Sequence, residues 1–291
     1  MSLPDLYNAS KPVLSFELFP PKTPAGEKAL WKHVDALVSF KPDFITCTYG
    51  AGGSTRGKTL DIVTQVKERY QLPVATHLTC VGSSVEQLRE YLTEAQQQEI
   101  DYVVALRGDP PAGDDSFRPT PGGLCYANEL VALIRSEFPH FDIAVAGYPE
   151  THQEAPSPQA DIENLRRKVE AGADVVVTQL FYDNDEFFAF RDKCQAVGIK
   201  APIVPGLMPV TNLSQIQRIT SMCGAKLPKA FLARLSEKKD DADWQFDVGV
   251  EQAAQQAEEL LSAGVPGMHF YVLNRSKATS RVLDSLDSFR Q

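Results

Sequence analysis

Eight short apolar segments recur along the chain, and stretches with helical spacing separate them. The apolar segments are rich in Val, Ile, Phe and Tyr and are bounded by turn residues, which is typical of β-strands. Strands that alternate with helices form parallel βαβ units, because each helix returns the chain to the same edge of the sheet. The predicted strands cover 13–19, 43–50, 73–80, 101–108, 142–149, 174–182, 202–208 and 268–274.

The intervening segments carry the signals of amphipathic helices. Apolar residues recur at helical spacing in 27–40 and in 85–98. Ser157-Pro158 predicts a helix start, with an N-cap residue followed by proline at the first helical position. The longest stretch between two strands, 211–266, has room for about two helices.

The number of strands and the chain length of 291 residues predict a single (β/α)8 TIM barrel, which is one domain over 1–291. We find no repeat, low-complexity tract or linker that would divide the chain. An open doubly wound sheet is the alternative. The GxGxxG of a nucleotide-binding open sheet is missing after the first strand, where the sequence is FELFPPKT, and this disfavours the alternative.

Composition restricts the classes of partner. The net charge of −9 disfavours non-specific binding to nucleic acid or to an anionic membrane, so the expected partners are small molecules. No apolar run is long enough to cross a bilayer, and the start of the chain does not resemble a signal peptide. Five widely spaced cysteines without a CxxC pair predict a reduced cytoplasmic protein, and HLTC (77–80) without a second pair predicts no metal site.

Polar residues concentrate where the predicted strands end. The carboxyl ends of barrel strands meet on one face, which carries the active site in this architecture. So many polar residues at corresponding positions predict a shared polar pocket. They are Glu17, Thr46, Thr48, His77, Thr79, Arg107, Asp109, Tyr148, Glu150, Gln179, Asp183, Asn274 and Arg275.

Glu17 is the first candidate catalytic residue, and two interpretations of it are open. It lies between Phe16 and Leu18, and apolar surroundings favour the neutral carboxyl that a general acid requires. A salt bridge to a neighbouring strand would instead make it a structural residue. This segment supports both interpretations equally.

The helix that begins after Ser157 carries a polar stripe. Asp161, Asn164, Arg167 and Lys168 fall within an arc of about 120° on a helical wheel. Such a stripe is usually solvated surface, but these residue types also suit ribose hydroxyls and a pyrophosphate. Arg107-Gly108-Asp109, the glycine-rich segment 50–55 and the loop around His152 are weaker signals of the same kind.

Nine motifs occur in order from the first strand to the last: FELFPPKT, TYGAGG, HLTC, ALRGDPP, GYPETH, ADIENLRRKVEAGAD, TQLFYD, PGLMPVTN and YVLNR. Together they resemble the methylenetetrahydrofolate reductase family, and the set is highly specific. The chain is similar to the short bacterial form, without the regulatory domain of animal enzymes. The resemblance implies a barrel that binds FAD without a Rossmann domain. It also implies a ping-pong reaction of one-carbon metabolism, in which NADH or NADPH reduces FAD and 5,10-methylenetetrahydrofolate then takes the hydride to give 5-methyltetrahydrofolate.

The resemblance also implies roles for individual residues. Glu17 would protonate folate N10, and Asp109 would tune the flavin and assist folate binding. Gln179 would contact nicotinamide and folate in turn, and Gln215 and Arg275 would hold folate. The implied FAD contacts are Thr48, Tyr49, Ala51, His77, Arg107, Gly108, Asp109, Ala127, Tyr148, His152, Ala155, Asp161, Asn164, Arg167 and Lys168.

Ile219 departs from the family pattern. Some members carry a phenylalanine here that packs on nicotinamide and folate, and isoleucine covers a ring without aromatic stacking. The resemblance to short forms favours NADH as the donor and leaves a homo-oligomer open. The alternative function is a folate-binding methyltransferase barrel without flavin, which would be colourless where a reductase would be yellow. A non-catalytic binding module is disfavoured because Glu17 and Asp109 are both present.

Overall fold

The structure is a computed structural model that describes residues 1–49, 56–110 and 117–289. Its strands are all parallel to their neighbours, in the order β7-β6-β5-β4-β3-β2-β1-β9-β8. The strands of the described residues are β1 (Val13–Leu18), β2 (Phe44–Cys47), β3 (Val74–Thr79), β4 (Tyr102–Leu106), β5 (Asp142–Gly147), β6 (Val175–Thr178), β7 (Ile203–Val204), β8 (Gly206–Leu207) and β9 (Gly267–Tyr271).

β7 and β8 stand at opposite ends of this strand order, but only Pro205 separates them along the chain. They are therefore two pieces of one segment. Proline has no N–H for the ladder, which accounts for the break. β7 pairs with β6, and β8 pairs with β9, so this segment closes the sheet on itself. The Pro205 carbonyl accepts a hydrogen bond from the His269 N–H at 3.0 Å. The predicted (β/α)8 barrel is confirmed, with its seventh strand in two pieces; the single domain over 1–291 stays a prediction.

The eight predicted strands are present, and most of them are shorter than predicted. The segment predicted as 174–182 leaves the ladder after Thr178, and the segment predicted as 101–108 leaves it after Leu106. Apolar residues beyond these points, such as Leu180 and Phe181, are buried against helices and not in the sheet. The apolar runs therefore predicted where the strands lie but predicted most of them too long.

Helices surround the barrel, and the Ser157-Pro158 helix start is confirmed, with the Ser157 side chain accepting from the Ala160 N–H. The helices of the described residues are α1 (Leu3–Tyr7), α2 (Pro24–Val38), α3 (Arg56–Tyr70), α4 (Val85–Gln97), α5 (Ala127–Glu137), α6 (Pro158–Glu170), α7 (Asn184–Ala196), α8 (Leu213–Cys223), α9 (Lys229–Glu237), α10 (Ala242–Ser262), α11 (Ser276–Ser285) and a short 3₁₀ helix (Asp287–Phe289). None of them is long and apolar enough to cross a membrane.

The stretch 211–266, which lies between β8 and β9, holds three helices, so the prediction of about two was wrong. Asn212 and Asp241 cap the starts of α8 and α10 with their side chains, and Pro228 precedes α9. The short helix α9 buries only Phe231 and Leu235, which is too weak a pattern to recognise in sequence.

The end of the barrel at which the strands begin, called the lower end here, has an apolar interior that α1 covers. Leu3 and Tyr7 of α1 pack on inward-facing residues such as Val13 and Phe44. The Leu3 N–H donates to a carboxylate oxygen of Asp142 at 2.7 Å, which fixes the start of α1. The barrel interior is apolar at this end, and its buried polar side chains Glu17, His77 and His269 lie nearer the other end, where the strands finish.

A separate apolar cluster lies beneath α8, α9 and α10. Its members include Leu180, Met208, Ile216, Phe231 and Val248. This cluster supports the helices that cover one side of the barrel mouth.

Gly249 lets α10 pass close to the segment after β8, and we expect Gly249→Ala to destabilise the protein. An added Cβ would lie 1.8 Å from the Val210 carbonyl oxygen, so backbone would have to move. Overpacking of this kind costs about 1–3 kcal/mol, which thermal or denaturant unfolding would detect. Gly57→Ala in α3 is the matched control, because nothing lies within 4 Å of its added Cβ. It should be neutral or stabilising by about 0.4–1 kcal/mol. Equal effects of the two changes would contradict the close contact.

Candidate active site

Glu17 lies at the mouth of the barrel and is 8% exposed. Its Oε2 atom is 3.4 Å from Nε2 of His77 and 3.7 Å from Nε2 of His269. These histidines come from β3 and β9, which lie on either side of the region occupied by β1 and β2. Glu17 therefore faces the barrel interior and contacts ionisable groups from other strands.

His269 links Glu17 to Ser15. Nδ1 of His269 lies 2.8 Å from the Ser15 hydroxyl, in hydrogen-bond distance. Ser15 pairs in register with His269, as Glu17 does with Tyr271, so the side chains of each pair point to the same face. Ser15 and His269 are not among the site residues predicted from the sequence. Alternation at period two along β9, which puts His269 and Tyr271 on one face, was the available signal.

Burial sets the charge state of His77. Desolvation lowers the pKa of His77 and His269 lowers it further, while the Glu17 carboxylate opposes both effects. Burial is the largest of these causes, so His77 is neutral at neutral pH. The contact between the neutral His77 ring and Glu17 is therefore a polar contact and not an ion pair, and the role of Glu17 as general acid or structural partner stays a prediction.

Two buried hydroxyls near Glu17 have no hydrogen-bond partner among the described residues: Oγ1 of Thr46 and Oγ1 of Thr79. Thr46 pairs in register with Glu17, and Thr79 lies two residues after His77 on the same face of β3. An unsatisfied buried polar group costs about 1–3 kcal/mol. Such groups beside a carboxyl and two imidazoles fit a polar ligand at the barrel mouth.

A second polar cluster lies at the ends of β4 and β5. The Arg107 guanidinium makes two hydrogen bonds to the Glu154 carboxylate, at 2.5 and 2.9 Å, and lies 5.0 Å from the Phe117 ring. Gly108 has φ of 88°, and a Cβ there would lie 2.5 Å from a Val81 methyl carbon. Asp109 is exposed, and its charge contributes to raising the pKa of Tyr148, after burial.

The inward side of α6 completes this cluster. A carboxylate oxygen of the buried Asp161 accepts a hydrogen bond from the His152 N–H at 3.0 Å, and burial raises the pKa of Asp161. Burial lowers the pKa of Lys168 to about 8. Its ammonium donates to the Ala146 carbonyl and lies 5.9 Å from the Tyr148 ring. The His152 ring packs edge-on against that ring at 4.6 Å.

The polar stripe predicted on this helix divides into two parts. Asp161 and Lys168 turn inward, whereas Asn164 and Arg167 are exposed. Nε of Arg167 is 3.4 Å from Glu163. The helical wheel predicted one surface for all four residues. In the structure, Asp161 and Lys168 form an inner pair, and Asn164 and Arg167 form an outer pair.

The described residues among the other predicted FAD contacts lie on several elements. Thr48 is half-buried, and Tyr49 packs its ring edge-on against Tyr91 at 5.6 Å, away from the mouth. Ala127 begins α5, and the Ala155 N–H donates to the His152 carbonyl. Ala51 lies outside the described residues. Contact with FAD stays a prediction for all of them.

The predicted substrate residues lie just after β6, in α8 and just after β9. Gln179 follows β6, and its N–H donates to the Gly147 carbonyl at 2.7 Å. Gln215 and Arg275 are exposed, and Ile219 packs on the cluster beneath α8. Tyr271 also packs on that cluster, and its ring lies 5.2 Å from His269. Their roles in binding stay predictions.

Comparison with known proteins identifies the family. The family model for methylenetetrahydrofolate reductase matches residues 3–287. The chain belongs to the methylenetetrahydrofolate reductase family. The resemblance found in the motifs is thereby confirmed, and the names of the relatives are consistent with an enzyme of this kind.

Bacterial relatives match over most of their length. The chain is 40% identical to the 5,10-methylenetetrahydrofolate reductase of Escherichia coli K12, over 94% of this chain and 90% of the relative. The relative of the same name from Pectobacterium carotovorum is also 40% identical, over 94% and 89%. A rice relative, named probable methylenetetrahydrofolate reductase (NADH), is 39% identical over 94% of this chain, which spans only 48% of that protein.

A solved structure supports the fold. An uncharacterised protein from Clostridium thermocellum, described as binding two copies of 5-methyl-5,6,7,8-tetrahydrofolic acid, superposes with a TM-score of 0.64 and covers 98% of each chain. The two sequences are only 14% identical, so this likeness is one of fold alone.

We expect His77 to make stability depend on pH. Because the folded pKa of His77 lies below its ordinary value of 6.5, the unfolded chain takes up this proton first. The stabilisation is complete above about pH 6.5 and is lost as the pH falls towards the lower, folded pKa. Melting temperatures at about pH 7.5 and about pH 5.5 should differ less for His77→Gln than for the wild type.

His140→Gln is the control, since His140 is an exposed histidine whose pKa burial also lowers. It should change the pH dependence less than His77→Gln does. A larger change for His140→Gln would contradict a dominant role for His77.

Proposed function

We propose that the protein reduces 5,10-methylenetetrahydrofolate to 5-methyltetrahydrofolate, with NADH as donor and FAD as bound cofactor, in a ping-pong reaction. Family membership supports the substrate and the product. The observation that carries the proposal is Glu17, a nearly buried carboxyl at the barrel mouth with two histidines within 4 Å. The name of the rice relative supports NADH. The five free cysteines support a reducing, cytoplasmic location.

The cluster at the ends of β4 and β5 fits FAD. The guanidinium of Arg107, which pairs with Glu154, and the ammonium of Lys168 would donate hydrogen bonds to a pyrophosphate. Asp161 offers a carboxylate for ribose hydroxyls, and Gly108 lets backbone approach a planar ring closely. FAD, when bound, supplies the hydride chemistry that no side chain can provide.

Glu17 would act on the folate. In this proposal its carboxyl donates a proton to N10, the bond between N10 and the methylene carbon breaks, and the electron pair of that bond stays on nitrogen. The methylene carbon, still bonded to N5, becomes an electrophilic iminium that accepts the hydride. His77 and His269 hold the carboxyl in place, and Ser15 fixes the orientation of His269.

The remaining residues would orient the two substrates in turn. Gln179, which follows β6, would contact nicotinamide and folate in turn. Gln215 and Arg275 would hold folate, and Ile219 would cover the reacting rings. Asp109, exposed beside Arg107 and Tyr148, would favour the positive charge that develops on folate. The purified protein should absorb visible light as a flavoprotein, and a colourless protein that does not take up FAD would overturn the cofactor assignment.

We expect Glu17→Gln to separate the two half-reactions. The amide keeps the size of the side chain but has no acidic proton. Reduction of FAD by NADH should continue, while oxidation of the reduced flavin by methylenetetrahydrofolate should slow by about 10²–10⁴-fold, as is typical of a lost general acid. Stopped-flow absorbance of each half-reaction measures this. Equal loss in both halves would mean that Glu17 is not the acid.

We expect Arg167→Ala to weaken FAD binding, because an FAD phosphate would lose the exposed guanidinium proposed as its partner. Hydrogen bonds to charged groups contribute about 1.5–3 kcal/mol, which corresponds to about 10- to 150-fold in Kd. Arg166→Ala is the control, since Arg166 lies next to it and makes only surface pairs with Glu163 and Glu170. Flavin titration of apoprotein compares the two. Unchanged FAD affinity in Arg167→Ala would return this residue to ordinary solvated surface.

A further inference from the structure

The turn that follows β9 has an uncommon backbone. Leu273 has φ of 47° and Asn274 has φ of 54°, so two consecutive residues lie in the left-handed region. Asn tolerates this region, but Leu disfavours it. Such a conformation persists only where the surrounding structure holds it, and it often accompanies a functional site.

The side chain of Asn274 holds this turn to the segment after β1. Its Oδ1 accepts a hydrogen bond from the Phe19 N–H at 2.8 Å, and its Nδ2 donates to the Phe19 carbonyl at 2.7 Å. The β1–β9 pairing ends at Glu17 and Tyr271. The amide of Asn274 thus takes the place of a strand partner just beyond the end of the ladder.

A second pair of contacts joins the same two segments. Nδ1 of His33 in α2 accepts from the Ser276 N–H at 3.3 Å and lies 3.1 Å from the Ser276 hydroxyl. Burial lowers the pKa of His33, which favours the neutral ring that can accept. The segment from Phe19 to His33 is therefore fastened at both ends to residues 274–276.

We propose that Asn274 is a positioning residue that sets the distance between the proton donor Glu17 and the folate-binding Arg275, an inference that rests on the proposed function. Glu17 lies two residues before Phe19, and Arg275 directly follows Asn274. The paired amide fixes both segments at once, and it holds Leu273 in its strained conformation. Without the amide, the turn can relax and carry Arg275 away from the mouth.

The test is Asn274→Gly, which keeps access to positive φ but removes the amide. The rate constant of the folate half-reaction should fall by about 10- to 100-fold, since small misplacement of reacting groups has effects of this order. Reduction of FAD by NADH should stay within about twofold, because neither Glu17 nor Arg275 acts in that step. Asn274→Asp keeps the acceptor but loses the Nδ2 donor, and should give an intermediate loss.

Asn184→Gly is the matched control. Nδ2 of Asn184 also bridges two elements, from the start of α7 to the Gln256 carbonyl and the Glu259 carboxylate. This variant should melt at a lower temperature but leave both half-reactions within about twofold of the wild type. A fall in the folate half-reaction like that of Asn274→Gly would show that lost stability explains the effect, and would overturn the proposal.

Hydrogen exchange at the Phe19 amide tests the contact without any activity. Exchange should be faster by about tenfold or more in Asn274→Gly and unchanged in Asn184→Gly. Unchanged exchange in Asn274→Gly would overturn the proposed contact. Faster exchange with a normal folate half-reaction would overturn its positioning role. Failure of the proposed function is a separate result, because the wild type itself would then not oxidise its flavin with methylenetetrahydrofolate.

Discussion

The closed parallel ladder is the constraint on which the candidate site depends. Parallel register places Ser15 beside His269 and Glu17 beside Tyr271, so the side chains of both pairs point into the barrel interior. Successive residues of a strand face opposite sides, and a slip of one residue would turn Glu17 outward towards the helices. The short strands at Pro205 are therefore as important as the longer ones, because they close the ladder that fixes this register.

The barrel separates its apolar and polar interiors along its axis. The lower layer contains apolar side chains such as Val13, Phe44 and Val204 beneath the cover of α1. The upper layer contains a carboxyl, two imidazoles and two hydroxyls without partners among the described residues. Polar groups that are buried without partners destabilise a fold, so the apolar lower layer and the packed helices must offset the upper one. This arrangement is expected where a fold stabilises a pocket that a ligand completes.

The sequence could predict what depends on local pattern, and it could not predict what depends on register or on the direction of a side chain. Apolar runs located the eight strands, but Leu180 and Phe181 look like strand residues although they pack against helices. The helical wheel placed Asp161 and Lys168 beside Arg167 but could not show that the first two turn inward under the loop after β5. Ser15 and His269 are far apart in sequence, and only the β1–β9 pairing brings them together. The motifs indicated the family because most of them lie at the strand ends, which carry the residues of the candidate site.

The two sides of the mouth are joined outside the ladder. Both carboxylate oxygens of Glu150, in the loop that carries His152, accept from the Lys226 N–H just beyond α8, at 3.1 and 3.0 Å. The loop is tied to α8 again where the Gln153 side chain donates to the Ser221 carbonyl at 3.3 Å. α8 rests on its own apolar cluster and not on the main core, so these hydrogen bonds contribute to its position. A loop proposed to contact FAD thus helps to place the helix proposed to cover the substrate, and the geometry of the two binding functions is set together.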